Sequence, residues 1–585
     1  MVEASRFSLP PPAREKALDH LAFLYGAERA PELLARLQQL LGRQLQSPIP
    51  RPASARPVSE QDVFIITYPD QVQSPGQAPL EVLSNWLEHG LAGLFSGVHL
   101  LPFYPSSSDG GFSVIDYRMV DPAFGSWDQV ERLAGRYRLM VDAVLNHVSA
   151  SSSWFRAFLA GDPCYQDFFI CLDPATDLTA VVRPRSTPLL TRFETAPGPR
   201  FVWTTFSADQ IDLNYANPDV LLTMIAVLLH YVRRGAQVLR LDAVAFLWKQ
   251  LGTPCLHLPQ THRLVQLIRL VLSTVAPWVW ILTETNVPHQ ENVSYFGDGS
   301  NEAHLVYLFA LPPLTLHAFL SGNASRLTAW LSDARPPSDQ AFFFNFLASH
   351  DGIGLRPVDG ILTPEEIDVL VKAVQARGGR VSHRATIGTG LEPYELNLTY
   401  FDALNDPQEL EQGLNRAVAR FLAAQAILLC LAGIPAVYFH SLFGSRSDFA
   451  GFERSGRVRS LNRQKLSLTD LERMLKDPHS LASRVFEGYA QLLRLRRGHR
   501  ALHPAGAQQV LDLGPDVVAV VRTSPEGDER LLCLQRVTGD PPLHELRLSL
   551  PPSQEATDLI SGDRLRLGRV PLGPYQVRWL RLDQP

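Results

Sequence analysis

Three carboxylic acids, Asp242, Glu284 and Asp351, each follow a short apolar run in this chain. Two opposed carboxyl groups can cleave an acetal, because one protonates the leaving oxygen while the other attacks or stabilises an oxocarbenium-like centre. Arg240 stands two residues before Asp242, where its charge favours the ionised carboxylate that a nucleophile needs. Glu284 ends the apolar run WVWIL (278–282), a setting that can raise a carboxyl pKa toward general-acid range. These residue types predict cleavage of a glycoside.

Two other interpretations compete with this chemistry. Any one acid alone would more often cap a helix or face solvent than act in catalysis. A metal site is the second alternative, and its plausible ligands are Asn146, His147, Asp242 and His350. No pair has close helical ligand spacing such as HExxH, so the sequence favours acid–base chemistry with neither a metal nor a cofactor.

The elements that must position these acids are apolar runs that stop in polar residues and are followed by helical stretches. They are FIITYPD (64–70), GVHLLPFYP (97–105), RLMVDAVLNH (138–147), QVLRLDAVAF (237–246), WVWILTETN (278–286), FFFNFLASHD (342–351) and IPAVYFHS (434–441). Such runs are typical of parallel strands covered on both faces. Seven units, with an eighth easily missed, predict an α/β fold with a closed (β/α)8 TIM barrel, whose strand ends converge at one mouth. A doubly wound open sheet is the competitor, but no GxGxxG or GxxxxGK[ST] follows any run.

The remaining sequence predicts further segments around the barrel, which itself spans 61–148 and 215–499. Residues 1–60 form an N-terminal helical extension that ends in a proline-rich linker. Residues 149–214 are a long insert, and 352–404 are a second, irregular insert. Short alternating strands over 500–585 predict a C-terminal antiparallel β domain.

Composition restricts the partners and the compartment. A net charge of −5 without long basic blocks argues against nucleic acid or an acidic membrane surface as a partner. The apolar run FLAAQAILLCLAGIPAVYF (421–439) is interrupted by Gly433 and Pro435, so we expect a helix, a turn and a strand rather than a membrane span. Five scattered cysteines favour a reducing, cytoplasmic location. A homodimer is one assembly that the sequence leaves open.

Four motifs resemble, in order and spacing, the signature regions of the α-amylase superfamily, glycoside hydrolase family 13. They are DAVLNH (142–147), LRLDAVAF (239–246), TETN (283–286) and FLASHD (346–351). The resemblance implies that the first insert is that superfamily's domain B. It also implies the roles of the three acids, with Asp242 as the nucleophile that forms a β-glucosyl-enzyme, Glu284 as the acid/base and Asp351 as the group that stabilises the transition state.

The same resemblance implies that His147, Arg240 and His350 hold the glucosyl ring. Retention of configuration would follow, with the carboxyl groups of Asp242 and Glu284 about 5 Å apart.

Finer stretches resemble the sucrose phosphorylase-like subgroup of this superfamily. SSDGGFSVIDY (107–117) is similar to a segment in which an acid, here Asp109, binds the glucosyl hydroxyls and an aromatic ring, here Phe112, forms an apolar platform. LNRQK (461–465) places Arg463 where the subgroup's arginine pairs with that acid. The resemblance implies a pocket closed behind one sugar ring, which suits disaccharides.

Two loops resemble the phosphate and acceptor segments of the subgroup. VVRPRSTPLL (181–190) offers Arg183 and Arg185 to phosphate. PYELNLTYFDAL (393–404) resembles a mobile loop whose tyrosine, here Tyr394, takes part in acceptor exchange. Glu395 stands where sucrose phosphorylases carry a glutamine, which puts sucrose itself in doubt.

His289 is a further candidate near these loops. It could face phosphate or bond to a backbone carbonyl, and the sequence leaves both roles open.

Four further stretches look most like the glucosylglycerate phosphorylases of this subgroup: LAFLYGAERA (21–30), TYPDQVQSPG (67–76), WTTFSADQIDLNYANP (203–218) and TETNVPHQENVSYFGDG (283–299). The reaction implied is phosphorolysis of 2-O-α-glucosyl-D-glycerate to α-D-glucose 1-phosphate and D-glycerate. The partners would then be a small α-glucoside and inorganic phosphate. Alternatives within the superfamily are phosphorylases of sucrose, sucrose 6′-phosphate or glucosylglycerol, and an α-glucosidase or amylosucrase-type transglucosylase. A barrel without activity is disfavoured, because all three acids are present.

Overall fold

A closed barrel of eight parallel strands forms the centre of the protein, as predicted. The computed structural model describes residues 7–386, 390–541, 543–546 and 555–582. Each barrel strand hydrogen-bonds to the next along the chain, and the last pairs with the first. The strands are β1 Phe64–Thr67, β2 Gly97–Leu100, β3 Arg138–Val144, β4 Val238–Asp242, β5 Trp280–Thr283, β6 Leu305–Tyr307, β7 Phe342–Asn345 and β8 Ile434–Tyr438.

The strand that the sequence did not resolve is β6. It has three residues, too few to stand out as an apolar run, and it directly follows His304. Its register is nevertheless continuous with both neighbours, since Leu305 pairs with Leu282 of β5 and with Phe342 of β7.

Helices surround the barrel, and several begin with a proline in the first turn, where the missing N–H has no partner to lose. The longer ones are Pro79–Gly90, Trp127–Arg136, Pro218–Arg233, Pro259–Val275, Leu311–Ser321, Ser325–Asp333, Leu414–Cys430, Leu468–Lys476 and Leu481–Gly498. Shorter helices are His289–Val293, Tyr400–Leu404, Pro407–Glu411 and Phe449–Ser455.

The apolar run at 421–439 forms the expected helix, turn and strand. The helix ends at Cys430 and β8 begins at Ile434. Gly433, with φ of 105°, makes the turn, and a Cβ there would lie 2.6 Å from the Phe343 carbonyl oxygen. In the part of the chain that the structure describes, no helix has the length and apolar character needed to cross a bilayer.

The N-terminal extension consists of two helices, Pro11–Tyr25 and Ala30–Gln44. Both are held on the barrel by ion pairs. Arg263 Nη1 lies 2.8 Å from Asp19 Oδ2, and Arg36 pairs with Asp219 at the start of a barrel helix.

The first insert contains the helix Ser153–Leu159, a hairpin of Leu190–Thr195 with Gly198–Trp203, and the strand Gln210–Asp212. This last strand pairs with His147–Ser149, directly after β3. A buried network strengthens the junction, because Lys249 Nζ lies 2.6 Å from Asp212 Oδ2 and 2.7 Å from Asn146 Oδ1. The insert is therefore anchored at the mouth of the barrel.

The second insert is more regular than predicted. It contains the helix Pro364–Ala376 and a three-stranded antiparallel sheet of Ile353–Gly354, Arg380–Thr386 and Gly390–Asn397. Sequence reasoning missed the edge strand Arg380–Thr386 because RVSHRAT has too many polar residues to show the alternation of a half-buried strand.

The C-terminal region is an antiparallel β domain. Its strands are Ala507–Leu511, Val517–Thr523, Arg530–Arg536, His544–Leu546, Glu555–Asp558, Arg564–Arg566, Val570–Leu572 and Val577–Leu582. Six of them form one sheet, and His544–Leu546 pairs separately with Val570–Leu572. Residues 547–554 of the predicted β domain lie outside the described residues.

We expect Lys249→Met to destabilise the protein, because Asp212 would lose its cationic partner in a buried site. Breaking one partner of a buried ion pair costs about 3–5 kcal/mol. Urea unfolding followed by tryptophan fluorescence should show a lower midpoint than the wild type. The control is Lys372→Met, whose ammonium lies on the surface and should contribute less than about 1 kcal/mol. An unchanged midpoint for Lys249→Met would contradict this role.

Candidate active site

The three predicted catalytic acids line one cavity at the C-terminal mouth of the barrel. Asp242 is the last residue of β4, Glu284 immediately follows β5, and Asp351 lies on the loop after β7. Because the strands run parallel, the side chains at these ends converge.

Arg240 is the cation that balances the nucleophile side of the cavity. It is buried and lies two residues before Asp242 on β4. Its Nη1 donates to Asp242 Oδ1 at 2.7 Å and to Asp142 Oδ1 at 2.5 Å. Asp142 is opposite Arg240 on the neighbouring strand and also bonds to His99 Nε2 at 2.9 Å. Arg240 is therefore shared between two carboxylates.

This sharing corrects the expectation that Arg240 alone keeps Asp242 ionised. Burial raises the pKa of Asp242 well above its usual range; Arg240 opposes this, and the nearby Glu284 and Asp142 charges add to it. Burial likewise raises the pKa of Glu284. The charge of Arg240 opposes this rise, and the charge of Asp351 adds to it. Two carboxyl groups that interact in this way share protons as a pair. The direct bond from Arg240 to Asp242 favours placing the remaining proton on Glu284.

The backbone after β4 holds the two acids in register with each other. Ala243 has φ of 51°, which costs free energy for a residue other than glycine. In this conformation its N–H donates to Glu284 Oε2 at 3.0 Å. The strained conformation of Ala243 therefore allows the hydrogen bond that holds the Glu284 carboxylate next to the end of β4.

Two arginines hold Asp351 ionised, and the neutral His350 lies beside it. Arg459 Nη1 lies 2.7 Å from Asp351 Oδ1, and Arg463 Nη2 lies 3.6 Å from the same oxygen. His350 Nε2 is 3.4 Å from Oδ2. Although burial opposes it, the two arginines lower the pKa of Asp351 far below its usual range. Asp351 therefore carries a fixed negative charge beside the reacting acids.

The prediction that Asp109 pairs with Arg463 is wrong, because no hydrogen bond or ion pair joins the two side chains among the described residues. Arg463 Nε instead donates to the His350 carbonyl oxygen at 2.7 Å. Asp109 lies 3.9 Å from Arg459 Nη1 and accepts from Gln210 Nε2 at 3.2 Å. Arg463 still lies next to the Asp109 loop, since a Cβ on Gly110 would come within 2.4 Å of its Nη1.

The proposed glucosyl side of the cavity has an apolar floor. The rings of Phe112 and His350 stack with centroids 4.9 Å apart and an interplanar angle of 6°. His147 Nε2 lies 3.0 Å from the Phe112 carbonyl oxygen. Burial lowers the pKa values of both histidines, so each is a neutral hydrogen-bonding group.

Glu395 is buried against Arg459 rather than free for an acceptor. Arg459 donates to its two carboxylate oxygens at 3.0 Å and 3.3 Å, and the Gly352 N–H donates to Oε1 at 3.0 Å. A guanidinium that binds one carboxylate with two donors is a strong and directional contact. Glu395 lines the cavity, but its charge is used to balance Arg459.

The phosphate and acceptor candidates divide into two sets. Arg185 and Tyr394 line the cavity, and the Arg185 guanidinium lies 5.7 Å from the centre of the Tyr394 ring. Arg183 turns back on its own loop, where it donates to the carbonyls of residues 186 and 187. His289 packs on Trp330, with ring centroids 5.3 Å apart, and does not line the cavity. The structure therefore does not bring Arg183 and His289 to the site.

Within the described residues, no three or more His, Cys, Asp or Glu side chains are grouped as ligands for a metal ion. Of the four ligands considered from sequence, Asn146 accepts from Lys249 and Asp242 accepts from Arg240.

Comparisons with known proteins agree with this geometry. Residues 91–335 match the family described as alpha amylase, catalytic domain. The chain is 51% identical to a glucosylglycerate phosphorylase of Allomeiothermus silvanus, over 98% of this chain and 99% of that protein. It is 44% identical to the glucosylglycerate phosphorylase of Escherichia coli, over 89% and 92%. A sucrose phosphorylase of Agrobacterium vitis is more distant, with 32% identity over 75% and 88%.

The chain belongs to the glucoside phosphorylases of the α-amylase superfamily. Among solved structures, a sucrose 6F-phosphate phosphorylase from Thermoanaerobacter thermosaccharolyticum aligns with a TM-score of 0.72. That alignment covers 89% of this chain and all of the other, at 24% identity, and it supports the fold.

Sequence reasoning missed several residues of this phosphorylase site. Arg459 stands four residues before Arg463, and nothing in the spacing indicates which of the two arginines pairs with an acid. Asp142 lies within the quoted motif DAVLNH, but an acid in the middle of a strand gives no sign of its partner. Gln210 joins Asp109 to His147, at 3.2 Å and 3.1 Å, and only its position at the end of the insert could have suggested a role.

We expect a bell-shaped pH profile whose limbs both lie at higher pH than ordinary carboxyl groups would give. Below the first pKa of the Asp242–Glu284 pair no nucleophile is ionised, and above the second no acid is protonated. Burial raises both pKa values, so the acidic limb should lie above about pH 4. The measurement is kcat/KM of an α-glucoside against pH. Glu284→Gln should lose the alkaline limb, and a retained alkaline limb would contradict the assignment.

We expect Glu395→Gln to lower kcat/KM by roughly 10-fold, since it weakens a charge-assisted contact of about 1.5–3 kcal/mol that orients Arg459 toward Asp351. Steady-state kinetics on an α-glucoside should show the loss. Glu365→Gln, on the exposed first turn of a helix in the same insert, is the matched control. Equal rates for the two variants would show that Glu395 does not hold Arg459 in place.

Proposed function

We propose that this enzyme catalyses the reversible phosphorolysis of 2-O-α-glucosyl-D-glycerate to α-D-glucose 1-phosphate and D-glycerate. The observation that carries this substrate choice is the 51% identity to a glucosylglycerate phosphorylase across almost the whole of both chains. The identity to a sucrose phosphorylase is 32% over a smaller share.

In the first step Asp242 attacks the anomeric carbon of the bound glucosyl unit. The bond from that carbon to the glycerate oxygen breaks, and Glu284 transfers its proton to this oxygen. The products are a β-glucosyl ester on Asp242, an ionised Glu284 and free glycerate. Asp351, which is charged and half-buried, stabilises the positive charge that develops on the ring.

In the second step phosphate enters the position that glycerate has left. Glu284 takes a proton from a phosphate hydroxyl, the phosphate oxygen attacks the anomeric carbon, and the ester bond to Asp242 breaks. Two inversions give net retention, so the product is the α-phosphate. Glu284 is then protonated again for the next cycle.

Arg185 and Tyr394 are the residues that we assign to phosphate at this stage. Arg185 lines the cavity and has no ion pair among the described residues, so its guanidinium is available to an anion. Its proline neighbour, Pro184, also lines the cavity and limits the backbone freedom of the loop.

The five cysteines are free thiols in the structure, which is compatible with the cytoplasmic location that we propose. A homodimer is the assembly to be tested, by measuring the molecular mass of the protein in solution.

We expect glucose 1-phosphate to form from glucosylglycerate only when phosphate is present. Purified enzyme should be incubated with glucosylglycerate or with sucrose, each with and without phosphate, and both glucose 1-phosphate and free glucose assayed. Phosphate-dependent product from glucosylglycerate in large excess over sucrose supports the proposal. Sucrose as the better donor would move the assignment to a sucrose phosphorylase, and glucose released equally without phosphate would indicate a hydrolase.

We expect Glu284→Gln to affect donors according to their leaving groups. General acid catalysis contributes typically 10²–10⁴-fold, so phosphorolysis of glucosylglycerate should fall by roughly that factor. Formation of the glucosyl-enzyme from α-glucosyl fluoride, measured as the first burst of fluoride release, should fall by much less, because this leaving group needs less protonation. An equal loss on both donors would contradict the role of Glu284 as the acid.

A further inference from the structure

One arginine at the cavity is not used by the networks described above. Arg356 begins a single 3-10 turn, Arg356–Val358, directly after the strand Ile353–Gly354. It lines the same cavity as Asp242, Glu284 and Tyr394.

The Arg356 side chain has no hydrogen-bond or ion-pair partner in the part of the chain that the structure describes. Its Nε is buried and meets no acceptor among these described residues. Burial, followed by the charge of Arg384, lowers its pKa. Arg384 itself pairs with Glu392 at 2.9 Å. The charges of Glu291 and Asp359 oppose the lowering of the Arg356 pKa, but neither carboxylate forms an ion pair with Arg356 among the described residues. A half-buried cation without an ion pair is costly, and such groups are normally paired or put to use.

Backbone contacts fix Arg356 beside the acceptor loop. Gly354 pairs with Glu395 in the small antiparallel sheet, and the Leu355 N–H donates to the Tyr394 carbonyl oxygen at 3.0 Å. Burial raises the pKa of Tyr394, and the charges of Arg185 and Arg356 both oppose this. All three side chains line the same cavity. Glu284, which must face the leaving oxygen, is also within electrostatic range of Tyr394.

Two free guanidinium groups therefore lie near the position where the leaving group and phosphate alternate. The other cavity arginines, Arg240 and Arg459, are already bound to carboxylates. Arg185 lies on a loop of the first insert, whereas Arg356 lies in the second insert, much further along the chain. A site that must hold two different anions in turn thus has two separate cations.

We propose that Arg356 binds the carboxylate of the acceptor and selects short hydroxycarboxylates over neutral polyols. This assignment rests on the proposed function, because it supplies the cation that a glycerate acceptor requires. An arginine fork matches a carboxylate with two parallel N–H donors, and such a contact discriminates strongly against an acceptor that has a hydroxymethyl group at the same place.

The test is acceptor preference in the synthetic direction. The enzyme is given α-glucose 1-phosphate with D-glycerate or with glycerol, which differ in the carboxylate alone, and kcat/KM is measured for each. We expect Arg356→Gln to lower kcat/KM for glycerate by roughly 10- to 100-fold, the size of a lost charge-assisted bond, and to lower that for glycerol much less. Arg356→Lys should recover part of the preference. Arg132→Gln, an exposed arginine on a barrel helix, should keep the wild-type ratio.

A second measurement separates the carboxylate from phosphate. With α-glucosyl fluoride as the donor, the KM of phosphate should rise more in Arg185→Gln than in Arg356→Gln. Turnover of this donor also shows that each variant is folded at the active site.

Three outcomes would overturn the assignment of Arg356. They are an equal loss of glycerate and glycerol activity, no loss of either activity in Arg356→Gln, and a larger effect of Arg356→Gln on phosphate than on glycerate. Failure of the proposed function looks different, because the wild-type enzyme itself would then not use glycerate.

Discussion

Charge buried at the mouth of an apolar barrel must be balanced, and this constraint determines the structure of the site. Ionised groups in such a place are unstable unless they are paired, so each acid needs a cation within reach. Arg240 is shared by Asp142 and Asp242, and Arg459 by Asp351 and Glu395. Burial raises the pKa values of Asp242 and Glu284, and Arg240, which also binds Asp142, only partly opposes this rise. Asp351, which lies beside two arginines, has a lowered pKa instead.

The inserts are necessary for this balance. The first insert supplies Gln210, which joins Asp109 to His147, and it is tied to the barrel through the buried contact of Lys249 with Asp212. The second insert supplies Glu395, which completes the environment of Arg459, and Tyr394, which lies next to Arg185. The barrel alone would present the acids, but the inserts determine their charge and the groups that reach the acceptor.

The sequence predicted the parts of this arrangement that follow a local rule. Buried parallel strands are continuous apolar runs, so the barrel and the positions of Asp242 and Glu284 could be predicted from patterns and from resemblance. Partner choice follows no local rule. Arg459 and Arg463 are equivalent by spacing, and only the fold shows that Arg463 binds the His350 carbonyl instead of Asp109. Arg356 is visible only as a cation without a partner, a property that no sequence pattern contains.

The identity of the nucleophile tests this account most directly, because the shared cations make sense only if Asp242 forms the covalent bond. The measurement is peptide mass mapping of the Glu284→Gln enzyme after reaction with α-glucosyl fluoride, since this variant lacks the base for the second step. The account predicts the mass of one glucosyl unit on the peptide that contains Asp242. The same mass on a peptide with Asp351 or another carboxylate, or an unlabelled protein that still turns over the donor, would contradict it.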